Sequence, residues 1–316
     1  MAKQDISERR PSRSGLILAG GEGSRLRAVT ERLGGIGCPK QFCRLLGDKT
    51  WYEDTRERAL RLFTPDRLIS VVTRSHARFY PSPLSAGPKE NVVIQPQSRG
   101  TATALLYALL RLKMLDANAE VAILPSDHFI SDGARFMDFV AEGFESIRAF
   151  PDQVVHLGIK ATAPETGYGW IEADTAGAGH GAAAPVRRFW EKPTYEIAVQ
   201  LWRQGFLWNS FVVVARASWA LGLIEKQCPE LARGFSRLRL HIGSEREGSV
   251  AETTYAGLAE TDFSKCVLMA PGTRLSVIPV HGVEWSDLGD PQRLALLMGL
   301  KGRKLEKTLS RERVAI

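Results

Sequence analysis

The chain has 316 residues, a length that suits one large α/β domain or two modest ones. Its composition is 44% hydrophobic and 24% charged, which is typical of a soluble globular protein, and no apolar run approaches the roughly 18 residues that a membrane span needs. The net charge of +7 suits an anionic ligand, but the sequence shows no stripe of interleaved basic and aromatic residues. We therefore expect neither a nucleic acid nor a membrane as a partner.

The two ends of the chain and its cysteines indicate where the protein resides. Residues 1–14 are polar without an apolar core, so we predict a flexible tail rather than a secretory signal. Residues 299–316 form a second predicted tail, which is rich in charge. The cysteines form no C-x-x-C pair, so we expect no structural zinc and no disulfide framework, in keeping with a cytoplasmic protein. They are Cys38, Cys43, Cys228 and Cys266.

The first predicted strand, residues 16–19, runs into a turn with three glycines within four positions. Glycine accepts unusual backbone angles, and successive backbone N–H groups in such a turn bind anions. Arg25 and Lys40 follow with two positive charges. The stretch predicts a cradle for a polyphosphate, and a plain turn between a strand and a helix is the alternative. The residues of the turn are Gly20, Gly21, Gly23 and Ser24.

Two common nucleotide-binding loops do not fit this stretch. The pattern G-x-x-x-x-G-K-[ST] is absent from it. The dinucleotide pattern G-x-G-x-x-G begins at Gly21 and Gly23, but Leu26 takes the place of its third glycine. The acidic partner about 20 residues further on is also missing, which disfavours a dinucleotide-dependent oxidoreductase.

The next elements alternate between strands and helices. Residues 68–73, 91–94 and 119–124 are predicted strands, and the helix after Thr101 has an apolar face at helical spacing. This alternation predicts a parallel, three-layer α/β sheet. Ligands bind such sheets at the carboxyl ends of the strands, so we expect three segments to share that edge. They are Gly20–Gly23, Gln95–Thr101 and Ser126–Asp127.

The second half, from about residue 154, has strands predicted at 154–159, 186–190 and 277–280. A run of small residues, 173–184, predicts a mobile loop. We find neither an internal repeat nor a linker, so we predict one domain over residues 15–298 with a substrate-side second half.

Two carboxylates are candidates for holding a metal ion. Asp127 follows a predicted strand, and Asp287 lies in a turn far along the chain. Two carboxylates that converge on phosphates would hold Mg²⁺, which prefers oxygen ligands. Helix capping or solvation is the alternative for either residue alone. No Ser/His/Asp or Cys/His arrangement indicates a covalent nucleophile, so an enzyme of this sequence would act by positioning and charge.

Taken in order, these motifs resemble those of the nucleotide-sugar pyrophosphorylases, which are sugar-1-phosphate nucleotidyltransferases. Among these, the chain looks most like the bacterial mannose-1-phosphate guanylyltransferases. The resemblance covers roughly residues 15–297. It rests on Leu18–Leu26 with Pro39–Phe42, Arg99–Ala102, Leu124–His128, Pro164–Ile171, Glu191–Pro193, Leu207–Ser210 and Trp285–Gly289.

The resemblance implies a Rossmann-like three-layer sandwich with a mostly parallel central sheet. It implies that GTP and mannose 1-phosphate react to give GDP-mannose and pyrophosphate, with Mg²⁺ as cofactor. The partners would be a nucleoside triphosphate and a sugar 1-phosphate, and a homo-oligomer is left open.

The resemblance also implies roles for single residues. Arg25 and Lys40 would be catalytic, and Asp127 and Asp287 would hold the metal. The nucleotide would be bound by Gly20, Gly21, Gly23, Ser24, Gln95, Arg99, Gly100 and Thr101. The sugar would be bound by Gly169, Glu191, Lys192 and Asn209.

Three positions and one segment depart from the family pattern. Gln95 and Gly100 stand where an acidic residue and an asparagine are usual, Phe211 replaces a glycine, and residues 33–37 lengthen the first loop. Another base or sugar, or a non-catalytic nucleotide-sugar-binding regulator on the same fold, is therefore the alternative function. The chain ends at Ile316, so we expect no isomerase domain of the kind that some relatives append.

Overall fold

A computed structural model describes residues 11–81, 84, 88–173, 183–270, 272–289 and 291–297. Its strands are β1 Arg13–Ala19, β2 Leu68–Thr73, β3 Val92–Gln95, β4 Glu120–Pro125, β5 Phe129–Ile130, β6 Val154–Lys160, β7 Gly169–Ala173, β8 Ala184–Glu191, β9 Leu207–Arg216, β10 Leu275–Val280 and β11 Trp285–Ser286. Its α-helices are α1 Arg27–Gly34, α2 Trp51–Ala59, α3 Thr101–Leu115, α4 Gly133–Ala149, α5 Tyr195–Arg203, α6 Ala217–Gln227, α7 Pro229–Gly234, α8 Ser236–Arg239, α9 Glu247–Ala256 and α10 Pro291–Leu297.

The ends of several elements differ from the sequence predictions. β1 begins at Arg13 and so includes the last two residues of the predicted N-terminal tail. Residues 1–10 and the C-terminal tail lie outside the described residues, as does most of the predicted mobile loop, 174–182. α2 begins at a capping box formed by Thr50 and Glu53, which satisfies N–H groups that would otherwise lack partners.

Nine of the described strands form one sheet in the order β3-β2-β1-β4-β9-β6-β10-β8-β7. β1, β2, β3 and β4 pair in parallel, with Leu16 opposite both Ile69 and Ile123. β9 lies antiparallel between β4 and β6, and β8 and β7 continue antiparallel at the far edge.

The prediction of a mostly parallel sheet is therefore wrong, because the sheet is mixed. The first half of the chain alternates strands with crossover helices, which parallel pairing requires. β7 and β8 instead pair antiparallel with each other, and β9 pairs antiparallel with β4, β6 and β7. In the second half only β6 and β10 pair in parallel among the described strands, so the parallel pattern of the first half extends there only in part.

Helices cover both faces of the sheet, so the three expected layers are present. Leu16 packs in a core with α3 and α6, whereas its neighbour Ile17 packs in a second core with α2 and α4. Successive strand residues point to opposite faces, and both faces here are buried. Because both faces are buried, the sequence of β1 is a continuous apolar run and does not alternate with polar residues.

Cys228 and Cys266 form a disulfide, with their Cα atoms 6.3 Å apart. The expectation that the cysteines form no disulfide is wrong for this pair. The two residues are 38 positions apart, and the packing of α6 against the helical turn Ser264–Leu268 brings them together. Nothing local in the sequence indicates that contact. Within the described residues, no helix is both long enough and apolar enough to cross a membrane.

Candidate active site

The carboxyl ends of β1 to β4 meet at one edge of the sheet and bring the predicted ligand-binding segments together. The glycine turn follows β1, residues 96–101 follow β3, and Asp127 follows β4. Thr73, at the end of β2, donates a hydrogen bond to the Gly20 carbonyl at 2.8 Å. Ser126 donates one to the Leu18 carbonyl at 2.7 Å. These bonds tie the segments together at that edge, where the sequence predicted them.

The glycine turn packs directly against the segment that carries Lys40. Gly23 has φ of +60°, and a Cβ atom there would lie 3.0 Å from the Cβ of Lys40. Gln41 donates from Nε2 to the carbonyls of Ala19, at 2.8 Å, and Gly21, at 3.0 Å. The sequence analysis gave Gln41 no role. In the structure its amide fixes the turn to the Lys40 segment.

The outer surface of the turn is open to a ligand. Gly21, Ser24 and Arg25 are exposed, and Ser24 and Arg25 form a short 3₁₀ turn with Leu26. Leu26 is buried and anchors this turn from below. The backbone N–H groups of the turn and the Arg25 guanidinium are thus accessible to a ligand, while buried Leu26 holds the turn in place.

Lys40 joins the Asp127 carboxylate to the backbone of Asp287, the second predicted metal residue. Its ammonium group donates to Oδ2 of Asp127 at 3.0 Å and to the backbone carbonyl of Asp287. Lys40 is buried, with 4% of its surface exposed. Burial alone would raise the pKa of the Asp127 carboxyl, but Lys40 and then His128 outweigh it and hold that pKa below its ordinary value. Asp127 is consequently ionised at neutral pH.

His128 is a neutral neighbour of this carboxylate. Burial lowers the pKa of its imidazole to about 4, although the charge of Asp127 opposes the shift. Its ring meets the ring of Trp285 edge to face, with centroids 5.1 Å apart. A general base should have a pKa near the working pH, so this histidine is unsuited to that role.

The carboxylate of Asp287 is held by groups that follow it in the chain. Its Oδ1 accepts hydrogen bonds from the backbone N–H of Gly289, at 2.7 Å, and from Nη1 of Arg293, at 2.8 Å. Nη2 of Arg293 donates to Glu165 at 2.7 Å. No motif in the sequence indicates a role for Arg293, because its two partners, Asp287 and Glu165, lie far apart in sequence.

The carboxylates near Lys40 suit Mg²⁺ that is bound together with substrate phosphates better than a metal ion held by protein ligands alone. Among the described residues, no group of three or more His, Cys, Asp and Glu residues could hold a metal ion. Mg²⁺ commonly takes one or two carboxylates together with substrate phosphates and water. Asp127 and Asp287 would supply the two carboxylates, and the contacts of Lys40 with the Asp127 carboxylate and the Asp287 backbone bring the two residues to one place.

The turn after β3 is fixed by a distant segment. Gly100 has φ of +85°, and a Cβ atom there would lie 2.3 Å from the Thr261 carbonyl oxygen. The backbone N–H of Ala102 donates to that same oxygen at 3.0 Å, and Phe263 donates from its N–H to the Thr101 hydroxyl at 2.8 Å. The departure at Gly100 therefore has a structural reason, because a side chain would block this contact.

Gln95 and Arg99 have partners in the same distant segment. Gln95 is buried, with its side chain against Gly20, and its Oε1 accepts a hydrogen bond from the Tyr255 hydroxyl at 3.2 Å. Arg99 is half-buried and donates from Nε to the Tyr255 carbonyl at 3.2 Å. Tyr255 thus organises both ends of the turn, a role that the sequence analysis did not predict.

The predicted sugar-binding residues converge on the other side of the site. Gly169 in β7 pairs with Glu191 in β8. A Cβ atom on Gly169 would lie 3.2 Å from Oε2 of Glu191 and 3.4 Å from the Cβ of Asn209. Lys192 is more exposed, with its Nζ 3.4 Å from Oε1 of Glu191. A side chain at position 169 would thus crowd Glu191 and Asn209, and the Oδ1 of Asn209 accepts a hydrogen bond from the Phe211 N–H at 3.0 Å.

Backbone strain is a second and independent indication that the predicted site residues form a functional site. In the described part of the chain, three residues other than glycine have positive φ, namely Lys192 at 46°, Phe211 at 58° and Leu288 at 46°. Such conformations cost on the order of 1–3 kcal/mol each and cluster at functional sites. Each lies within two positions of a predicted site residue. Those neighbours are Glu191, Asn209 and Asp287, respectively.

Residues 33–37, which lengthen the first loop, end α1 and lead to the segment that carries Lys40. Gly35 and Gly37 have φ of +90° and +73°. Arg78 donates to the carbonyl of Ile36, and the Gly37 N–H donates to the Glu31 carboxylate at 3.1 Å. The segment is therefore a held turn, although the side chain of Ile36 is 82% exposed.

The fold and the site together define a nucleotidyltransferase-like α/β protein. The family model described as "Nucleotidyl transferase" matches residues 14–298, and the chain belongs to this family. The family resemblance inferred from the motifs is thereby confirmed.

Comparison with known proteins identifies relatives of two kinds. Over 279 residues the chain is 34% identical to the xanthan biosynthesis protein XanB of Xanthomonas campestris pv. campestris, covering 87% of this chain and 57% of that protein. It is 28% identical over 285 residues to a mannose-1-phosphate guanylyltransferase of Sinorhizobium fredii, covering 86% and 52%. The chain therefore spans slightly more than half the length of these curated relatives.

A solved structure shares the fold over nearly the whole chain. It is described as a mannose-1-phosphate geranyltransferase from Thermus thermophilus. The similarity has a TM-score of 0.77 at 28% identity and covers 92% of this chain and 80% of the other.

Proposed function

We propose that the chain transfers a nucleotidyl group from a nucleoside triphosphate to a sugar 1-phosphate and releases pyrophosphate. GTP and mannose 1-phosphate are the substrates that we propose. The observation that carries this proposal is the position of Lys40, buried between Asp127 and Asp287 at the edge where the glycine turn ends β1.

The proposed reaction needs no covalent intermediate with the protein. A phosphate oxygen of the sugar 1-phosphate attacks the α-phosphorus, a new P–O bond forms, and the bond to the β-phosphate breaks. Pyrophosphate leaves on the side opposite the attack. The protein has to hold the two phosphates in line and neutralise their charge, which can lower the barrier substantially.

Each charged group in the site has a place in that scheme. Arg25, exposed beside the glycine turn, would hold the departing phosphates. Lys40 would exchange its contact with Asp127 for one with the α-phosphate. Asp127 and Asp287 would hold Mg²⁺, whose contribution when bound is to neutralise charge on the phosphates.

The choice of mannose is supported by the names of relatives and by the sugar-side geometry. Two of the curated relatives are named mannose-1-phosphate guanylyltransferase. Gly169 lies beside the Glu191 carboxylate, whose oxygens can accept hydrogen bonds from sugar hydroxyl groups in the proposed sugar pocket of Gly169, Glu191 and Asn209. We expect Lys192, on its exposed side, to meet the sugar phosphate.

The choice of GTP rests on the names of the same relatives, and a comparison of nucleotides tests it directly. Gln95, Arg99, Gly100 and Thr101 form the proposed base-side turn. Gln95 provides an amide where relatives with an acidic residue would provide a carboxylate. That amide is buried and its Oε1 is already paired with Tyr255, so we expect the backbone of residues 95–101 to read the base.

The test is pyrophosphate release by the purified chain with Mg²⁺. GTP, ATP, UTP and dTTP are each combined with mannose 1-phosphate and with glucose 1-phosphate. We expect GTP with mannose 1-phosphate to give the highest kcat/KM, and chelation by EDTA to abolish turnover until Mg²⁺ is restored. Failure of every pair to release pyrophosphate would contradict the proposal. Calorimetric binding of GDP-mannose without turnover would instead support a non-catalytic regulator.

A further inference from the structure

Arg293 in α10 connects the two halves of the candidate site. One of its nitrogens, Nη1, donates to Oδ1 of Asp287 at 2.8 Å, and the other, Nη2, donates to Oε2 of Glu165 at 2.7 Å. Its guanidinium carbon lies 4.1 Å from the centre of the Tyr168 ring. The side chain is 13% exposed, so these contacts are largely shielded from water. One side chain therefore touches the proposed metal carboxylate and the loop that leads to Gly169.

We propose that Arg293 is a positioning residue that orients the Asp287 carboxylate for the metal and couples it to the sugar pocket. This inference rests on the proposed function, since it assigns the metal to Asp287. Arg293 itself touches neither substrate nor metal in this scheme. It acts through Asp287 on one side and through the loop of Glu165 and Tyr168 on the other.

The orientation of Asp287 follows from which of its oxygens is occupied. Oδ1 accepts from both Arg293 and the Gly289 N–H, whereas no described residue donates a hydrogen bond to Oδ2. Two donors on one oxygen fix the rotation of the carboxylate. The other oxygen remains available for a cation, which is the usual arrangement when a neighbouring group orients a metal ligand.

The link to the sugar pocket runs through Tyr168, which directly precedes Gly169. The Tyr168 hydroxyl lies 3.5 Å from Oγ of Ser286, next to Asp287. Its ring packs edge to face on those of Trp208 and Trp285, with centroids 5.0 Å apart in each case. The loop and the Asp287 turn thus form one packed unit that the guanidinium of Arg293 holds together.

Arginine suits this position better than lysine would. Its planar guanidinium presents two parallel N–H groups in fixed directions and can also stack on an aromatic ring. A lysine ammonium is a single point charge and would contact one carboxylate well at a time. Arg293→Lys should therefore keep the charge but lose part of the coupling, which makes it a useful partial variant.

The test compares Arg293→Ala, Arg293→Lys and Glu165→Gln with the intact chain. Arg233→Ala is the matched control. Arg233 also pairs with a glutamate, Glu230, but its side chain is 71% exposed and it belongs to none of the predicted site motifs. Binding of Mn²⁺ in the presence of GDP-mannose is measured by the loss of the free-ion electron paramagnetic resonance signal, with Mn²⁺ and GDP-mannose without protein as the reference. KM is measured separately for GTP and for mannose 1-phosphate, and thermal denaturation shows whether each variant is folded.

We expect Arg293→Ala to weaken Mn²⁺ binding by roughly 10- to 100-fold, as is usual on loss of a group that orients a metal ligand. KM for mannose 1-phosphate should rise with it, while KM for GTP changes less than about threefold. Arg293→Lys should recover part of the Mn²⁺ affinity. Glu165→Gln should raise KM for mannose 1-phosphate and leave Mn²⁺ binding within about twofold.

The proposal is overturned if a folded Arg293→Ala variant binds Mn²⁺ as the intact chain does. If that variant does not fold, Arg293→Lys decides the matter by the same measurement, with unchanged Mn²⁺ affinity counting against the proposal. The Mn²⁺ measurement does not depend on turnover. A chain without pyrophosphate release would therefore contradict the proposed function while the role of Arg293 is still decided separately.

Discussion

The ammonium group of Lys40 lies 3.0 Å from Oδ2 of Asp127 and joins two segments that are 87 positions apart. Lys40 is buried, whereas the Asp127 side chain is about one-third exposed and faces the open edge of the sheet. A buried cation that already contacts a carboxylate can exchange it for a phosphate without crossing into water. This exchange is the basis of the first expectation.

Lys40→Met should lower pyrophosphate release by at least about 100-fold, because a positive charge near the developing phosphate charge is lost. Methionine keeps much of the apolar stem, so the core around residue 40 should be preserved. The measurement is kcat for GTP with mannose 1-phosphate, together with the unfolding temperature. Lys49→Met is the control, since Lys49 forms an exposed pair with Glu57 and should alter kcat by less than about twofold.

Glu191→Gln should affect the sugar substrate and spare the nucleotide. The carboxylate lies 3.2 Å from where a Cβ atom on Gly169 would stand, inside the proposed sugar pocket. Loss of its charge weakens hydrogen bonds to sugar hydroxyl groups, and we expect KM for mannose 1-phosphate to rise roughly tenfold, about 1.4 kcal/mol. Steady-state kinetics with each substrate varied in turn would measure this. An equal rise in KM for GTP would argue against the sugar-side assignment.

Gly100→Ala should destabilise the fold as well as the base-side turn. A methyl group there would meet the Thr261 carbonyl oxygen at 2.3 Å, and φ of +85° is unfavourable for alanine. We expect a loss on the order of 3 kcal/mol in the free energy of unfolding, measured by denaturant titration. Gly248→Ala is the matched control. Gly248 lies in α9 with open space around it, so this change should raise stability by about 0.5–1 kcal/mol.

The stability of the protein should fall as the pH decreases from about 6.5 to 4. Burial lowers the pKa of the His156 imidazole from 6.5 to about 4, with the Asn209 side chain partly opposing the shift. In that window the unfolded chain binds a proton that the folded chain does not, so unfolding becomes more favourable as pH falls. The shift corresponds to roughly 3 kcal/mol, and no further loss from this residue follows below about pH 4.

His156→Gln should reduce the pH dependence, because glutamine does not titrate. His128 has a similarly lowered pKa and should maintain a remaining slope. The measurement is the free energy of unfolding at several pH values between about 4 and 8 for both proteins. If the two curves stay parallel, His156 is not a source of the pH dependence.

The first half of the fold could be predicted from sequence because its signals are local. The strand at 68–73 was predicted with the bounds that β2 has, and the apolar spacing after Thr101 identified α3, although residues 102–112 are buried on every side of that helix and not on one face. The second half could not be predicted in the same way. The pairing of β9 with β4, β6 and β7 depends on contacts between strands far apart in sequence, and the pattern of β9 itself does not indicate its direction.

The site shows the same division. A glycine turn with nearby cations and a strand-end carboxylate have local patterns, and these indicated Gly23, Lys40 and Asp127 from sequence. Gln41, Tyr255 and Arg293 were missed because each acts through partners that only folding brings near. The same holds for the disulfide between Cys228 and Cys266.

The sequence by itself determined the chemical groups of the site, the parallel first half of the sheet, and the family resemblance. The tertiary structure decided the mixed direction of the sheet, the burial of Lys40 between Asp127 and Asp287, and the contact of Arg293 with two carboxylates. The physical reason is the distance along the chain over which each kind of interaction acts. Helix and turn preferences act over a few residues, whereas burial, ion pairing and strand order depend on residues that meet only when the whole chain packs.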